Sequence, residues 1–158
     1  MNIKSAPVVP GPRYGALLDF LRVAEAVWEA SRLFFARWGL SPSQFNVLHL
    51  LRNCADGLSQ TELSRALITH RSNITGLIDR LEQRGLVIRR EDASDRRAYL
   101  VVLTSEGTRL LESILPDYFS AIEELWGDIP VSHAAQIARS LAPLHERAPA
   151  IAGRRRSL

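Results

Sequence analysis

The sequence predicts a mostly helical chain that carries one small β-hairpin, and three observations predict it. A stripe of Leu17, Leu21, Ala24, Trp28, Ser31, Phe35 and Trp38 alternates spacings of four and three, which is helical periodicity. Two capping boxes, Ser41-Pro42-Ser43-Gln44 and Ser59-Gln60-Thr61-Glu62, each open a further helix. Residues 81–104, LEQRGLVIRREDASDRRAYLVVLT, then read as a helix end at Gly85, a strand, an acidic turn and a second strand.

The elements follow in order. The N-terminal stretch MNIKSAPVVPGPRYG is rich in Pro and Gly and has no apolar h-region, so residues 1–13 are expected to form a flexible arm and not a secretion leader. Residues 14–39 form the first helix, closed by Gly39. Leu18, Val27 and Phe34 widen its apolar stripe beyond one core face, which suggests burial on two sides, one of them a partner subunit. The second helix turns Phe45, Leu48 and Leu51 inward and ends near Ala55-Asp56-Gly57. A short helix with Leu63, Ala66 and Leu67 inward, a tight turn at residues 68–70, and an amphipathic helix over Arg71–Arg84 carrying Ile74, Leu77, Ile78 and Leu81 make helix-turn-helix spacing.

The hairpin pairs Leu86–Arg90 with Ala98–Leu103, and Thr104-Ser105-Glu106 caps a long helix with a kink expected at Pro116. Gly127 to Pro130 breaks that helix, and a last one carries Ile137, Leu141 and Leu144. The organisation expected is an arm (1–13), a dimerisation helix (14–39), a winged helix-turn-helix unit (40–104), C-terminal dimerisation helices (105–147) and a basic disordered tail (148–158).

Bulk properties narrow the function classes. The chain has 158 residues, a net charge of +3 and one cysteine, Cys54, so an intramolecular disulfide framework is out and a reducing cytoplasm is expected. No apolar run is long enough to span a membrane. Arginines gather at 71, 80, 84, 89, 90, 96 and 97, interleaved with Glu82, Glu91, Asp92 and Asp95, which is patterned charge and not a polybasic tail. His49, His70, His133 and His145 show no metal-ligand spacing, and no nucleophile–base pair or phosphate loop is present. Neither a metal, a cofactor nor catalysis is expected, and Cys54 reads as a buried structural thiol.

A helix of short polar side chains followed by an arginine-tipped hairpin is suited to double-stranded DNA. Base edges in the major groove are met by donors and acceptors near a helix N-terminus. His70, Arg71, Ser72, Asn73, Thr75, Gly76, Asp79 and Arg80 lie off the apolar stripe of the third helix, and its short polar residues near the N-terminus fit that task. Arg96 at the hairpin tip would reach an adjacent minor groove, where negative potential concentrates. Ser59 and Thr61 can hold a phosphate at the preceding helix, although capping alone explains Ser59. Arg84, Arg89 and Arg90 remain open between phosphate contact and plain surface charge. The competing class is a winged-helix module that binds protein without DNA.

Asp95-x-Arg97-x5-Leu103-Thr104, after a Gly85-Leu86-Val87 strand entry and an Asp79-Arg80-Leu81-Glu82 helix end, resembles the multiple antibiotic resistance regulator (MarR) family over roughly residues 14–147. The resemblance implies a homodimeric winged helix-turn-helix regulator, usually a repressor, that binds a pseudo-palindromic operator and releases it on meeting a small molecule or on oxidation. It also implies an Asp95–Arg97 pair that shapes the wing, and effector sites between dimerisation helices and winged domain. Trp28, Arg32, Phe35, Trp38 and His49 could form such a site for an aromatic or phenolic anion. The alternative, and the first expectation, is that Trp28, Phe35 and Trp38 are dimer core and Arg32 a surface charge.

Overall fold

In the computed structural model, residues 11–67, 74–91 and 99–152 are described. Among the described residues nine elements follow one another: α1 (Pro12–Ala36), α2 (Pro42–Leu51), β1 (Leu58–Ser59), α3 (Gln60–Ala66), α4 (Ile74–Gln83), β2 (Val87–Glu91), β3 (Tyr99–Leu103), α5 (Ser105–Trp126) and α6 (Val131–Ala152). The strands form one antiparallel sheet in the order β1-β3-β2. The chain divides into two compact units, residues 1–112 and 113–158, with the boundary inside α5.

Local chemistry sets the helix ends. Both expected capping boxes form: Ser41 and Ser59 each accept from the backbone N–H three residues on, while Gln44 and Glu62 reach back to the cap N–H. Gly39 and Gly85 have φ of +63° and +69°. Each ends its helix by paired returns: Gly39 and Leu40 donate to the carbonyls of Ala36 and Phe35, and Gly85 and Leu86 to those of Glu82 and Leu81. A left-handed residue there is what glycine permits without a Cβ clash.

In the first unit the core gathers Phe35 from α1, Leu40 from the turn after it, Phe45, Val47, Leu48 and Leu51 from α2, Leu63, Ile78 and Leu81 from α3 and α4, and Val87, Val101 and Leu111. Phe35 stacks on Phe45 at 4.2 Å between ring centroids. Phe35 is the sole buried residue of α1. Tyr14, Leu17, Leu21, Val23 and Leu33 are all exposed on the same helix. In the second unit Ile114 and Leu115 are buried, whereas Phe119, Leu125, Ile137 and Leu144 are exposed.

Several details differ from the sequence reading. The hairpin gains a third strand, because Leu58 and Ser59 pair with Val101 and Leu100. Gly57, at φ +88°, makes this possible, since a Cβ there would stand 2.6 Å from the Val101 carbonyl oxygen. α2 stops at Leu51, short of residues 55–57. α6 continues through Pro143 and Pro149 to Ala152, beyond the expected end at 147, whereas α5 carries Pro116 inside it as the sequence reading has it. Cys54 is half-buried. No described helix is long and apolar enough to cross a membrane, and no group of three or more His, Cys, Asp or Glu among the described residues could hold a metal.

Candidate nucleic-acid interface

α4 is two-sided. Leu77, Ile78 and Leu81 are buried against the first unit's core, while Thr75 and Arg80 are exposed and Gly76 is half-buried. The Thr75 hydroxyl donates to the Gln60 amide oxygen at 3.1 Å, which pins the first turn of α4 to the first turn of α3. Thr61 is exposed on that same turn of α3. Ser59 is committed to capping: its hydroxyl accepts from Glu62 N–H at 3.2 Å and donates to the Glu62 carboxylate at 2.7 Å. His70, Arg71, Ser72, Asn73, Asp95, Arg96 and Arg97 lie outside the described residues.

The three arginines that the sequence left open are all engaged within the first unit. Arg89 on β2 makes ion pairs with Asp79 and Glu82, two carboxylates three residues apart on one face of α4. Its backbone N–H also donates to Glu82 at 3.1 Å. Hydrogen bonding to Asp79, with the Glu82 charge adding, raises the Arg89 pKa against the lowering effect of burial. Arg89 is therefore a clamp that fixes the wing to α4. Arg90 donates to the Asp56 carbonyl at 3.0 Å, and Arg84 to the carbonyls of Gly39 and Trp38 at 2.6 and 3.0 Å.

A signal for the Arg89 clamp was present in the sequence. Strand alternation puts Arg89 on the same face as buried Val87, and that face looks toward the core. Arg89→Ala is expected to cost about 1–2 kcal/mol, more than an ordinary surface pair, because two carboxylates lose one shared partner. Arg89→Lys should restore only part, as a single ammonium cannot fork between them. Urea unfolding of the three proteins checks this; equal midpoints would remove the clamp.

The aromatic constellation read from the sequence separates in space. Trp28 and Arg32 line an open cleft of about 440 Å³ at the junction of α1 and α2, together with Ala36, Gly39, Leu40, Ser41, Pro42 and Ser43. Arg32 also pairs with Glu29 at 3.3 Å and stays mostly exposed. Phe35 leaves this group, since it is only 3% exposed and packed on Phe45 in the core. His49 stacks on Phe45 as well, with 5.6 Å between ring centroids. Trp38 packs by Phe34 under the Arg37 guanidinium. Of the five residues, two line the cleft.

Known proteins share this architecture. The MarR family profile matches residues 38–98. The chain is 36% identical over 115 residues to the HTH-type transcriptional repressor YetL of Bacillus subtilis, covering 72% of this chain and 69% of that relative. It is 32% identical to CouR from Rhodococcus jostii RHA1, solved bound to p-coumaroyl-CoA, with a TM-score of 0.72 over 84% of this chain and 92% of that one. BpsR of Bordetella bronchiseptica, whose DNA binding is regulated by 6-hydroxynicotinic acid, is 25% identical with a TM-score of 0.74 over 89% and 98% of the two chains. A fold built around α3, α4 and a clamped wing, together with these likenesses, places the chain in the MarR family of transcription regulators.

Proposed function

We propose that two copies of this chain form a symmetric dimer that binds a pseudo-palindromic double-stranded DNA operator, and that a small aromatic or phenolic acid in the Trp28–Arg32 cleft changes the affinity. The observation that carries the DNA reading is α4: its apolar face is buried, its Thr75 and Arg80 face is exposed, and Arg89 fixes the wing beside it. His70, Arg71, Ser72 and Asn73 precede this helix and supply base-edge and phosphate donors, Gly76 lets the backbone come close, and Thr61 meets a phosphate. Arg96 enters the minor groove, and Asp95 with Arg97 shapes the wing tip. Ser59 contributes through its cap.

Dimerisation is supported by the apolar side chains left exposed: Leu17, Leu21 and Val23 on α1, and Leu125, Ile137 and Leu144 in the second unit. Large apolar side chains left exposed on each unit are what an interaction surface presents. The effector class is supported by the Trp28 ring and Arg32 cation in one cleft, and by the aromatic ligands of the two structural relatives. We read the chain as a regulator without catalysis, acting in the cytoplasm.

Selection of bound duplexes from a random pool tests this. The expected product is a two-fold symmetric site with half-sites about ten base pairs apart. Affinity for it should fall by roughly 10³-fold or more between 50 and 200 mM salt, and Arg96→Ala should weaken binding and lower the salt slope by about one. A monomer in sedimentation, with no salt-sensitive affinity for any duplex, sinks the proposal.

A further inference from the structure

We infer that Arg84 is a positioning residue that ties the wall of the Trp28–Arg32 cleft to the end of α4, so that filling the cleft is felt by the DNA-reading helix. The inference rests on the reading of α4 and of the cleft given above and names the group that joins them.

The connection is short and continuous. Gly39 lines the cleft and stands at φ +63°, so its peptide is held in a left-handed turn between α1 and α2. The Arg84 guanidinium lies over that glycine, both terminal nitrogens 3.8 Å from where a Cβ would be. It donates to two successive carbonyls, Gly39 at 2.6 Å and Trp38 at 3.0 Å. These carbonyls belong to the turn just past the C-terminus of α1, where the helix dipole favours a cation. On its other side, Arg84 extends the backbone ladder of α4: its N–H donates to the Arg80 carbonyl at 3.3 Å. Arg80 is exposed on the face assigned to DNA.

A planar fork on two carbonyls tolerates little displacement, because such bonds weaken steeply with distance and angle. A body seated in the cleft that presses on the Leu40–Ser43 turn displaces Gly39, which lines it. Arg84 then either drags the end of α4 with it or loses a bond. Either result changes the pose of the helix relative to α1. A plain cap for α1 would behave differently: its removal would cost stability, independently of what fills the cleft.

The test builds the filler into the protein. Ala36 lines the cleft from the last residue of α1 and is exposed, so Ala36→Phe fills it without a ligand. Duplex affinity, on the site recovered by selection, is measured for the unsubstituted chain, Ala36→Phe, Arg84→Gln and the double variant. With Arg84 present the fill should weaken binding about tenfold, and with Arg84→Gln less than about threefold, within the usual range of coupling between sites. The salt slope should not change with Arg84→Gln, as its guanidinium is committed to the Gly39 and Trp38 carbonyls. Thermal unfolding checks each variant, and Ala36→Leu or Arg84→Lys, giving intermediate effects, stand in where the larger change unfolds the chain. Equal factors in the two backgrounds, or no effect of the fill in either, overturn the tie alone. Absence of duplex binding by the unsubstituted chain removes the DNA reading itself and the tie with it.

Discussion

Gly107→Ala should destabilise the fold by about 3 kcal/mol although it adds a single methyl group. A Cβ at Gly107 would stand 2.0 Å from the Leu86 carbonyl oxygen, 2.9 Å from its carbon and 3.1 Å from Leu103 Cδ2. The carbonyl cannot swing aside cheaply. It accepts the Thr104 N–H at 3.1 Å, while the Leu86 N–H is held by the Leu81 carbonyl at 2.9 Å. The Thr104 hydroxyl donates to the Gly85 carbonyl at 2.6 Å and accepts the Gly107 N–H at 2.9 Å as the cap of α5. Alanine's better helix propensity, about 1 kcal/mol, cannot offset a backbone overlap of that size. The strands of the wing begin and end at this knot, so duplex affinity should fall as well. Thermal unfolding at fixed protein concentration should show a drop of roughly 6–12 °C for a chain of this length. Gly15→Ala is the control: nothing lies within 4 Å of its Cβ position, and a helical alanine there should be neutral or stabilising. A Gly107→Ala protein as stable as the control would show that α5 does not seat on Leu86.

What was legible in the sequence divides along the range of the interactions concerned. Capping boxes at Ser41 and Ser59, and the glycine stops at 39 and 85, are decided within six residues, and all form where the pattern puts them. The burial of Leu77, Ile78 and Leu81 follows from helical period alone. β1 was not legible, because two residues show no alternation and their pairing is decided by β3, some forty positions along the chain. The arginines were the larger gap. Spacing cannot distinguish a guanidinium that meets phosphate from one that meets a carbonyl, and Arg84 finds its partners at Trp38 and Gly39. Arg89 could have been assigned from strand parity together with Asp79 and Glu82 one helical turn apart. The aromatic stripe of α1 failed as a guide to the cleft for a related reason. It is wide enough to serve a core, a partner and a pocket, and periodicity does not say which ring goes where.

Phe45→Ala tests that partition, with an expected loss of about 3–5 kcal/mol. Phe45 is fully buried, stacked on Phe35 at 4.2 Å and 22° and on His49 at 5.6 Å and 18°. Phe35 is the one buried residue of α1, so this stack is what holds the end of that helix to α2. Truncation leaves a cavity as well as lost transfer energy, and neighbouring Val47, Leu48 and Leu51 are too fully enclosed to collapse into it. Phe45→Leu keeps most of the volume and should cost less than half as much, about 1.5 kcal/mol. Urea unfolding should therefore rank the three proteins with well-separated midpoints. The substitution also reaches the cleft, since Ala36 and Leu40, which line it, flank the residues that the stack fixes. A Phe45→Ala protein within 1 kcal/mol of the unsubstituted chain would mean that the α1–α2 junction is not core, and that Phe35 is available to the cleft after all.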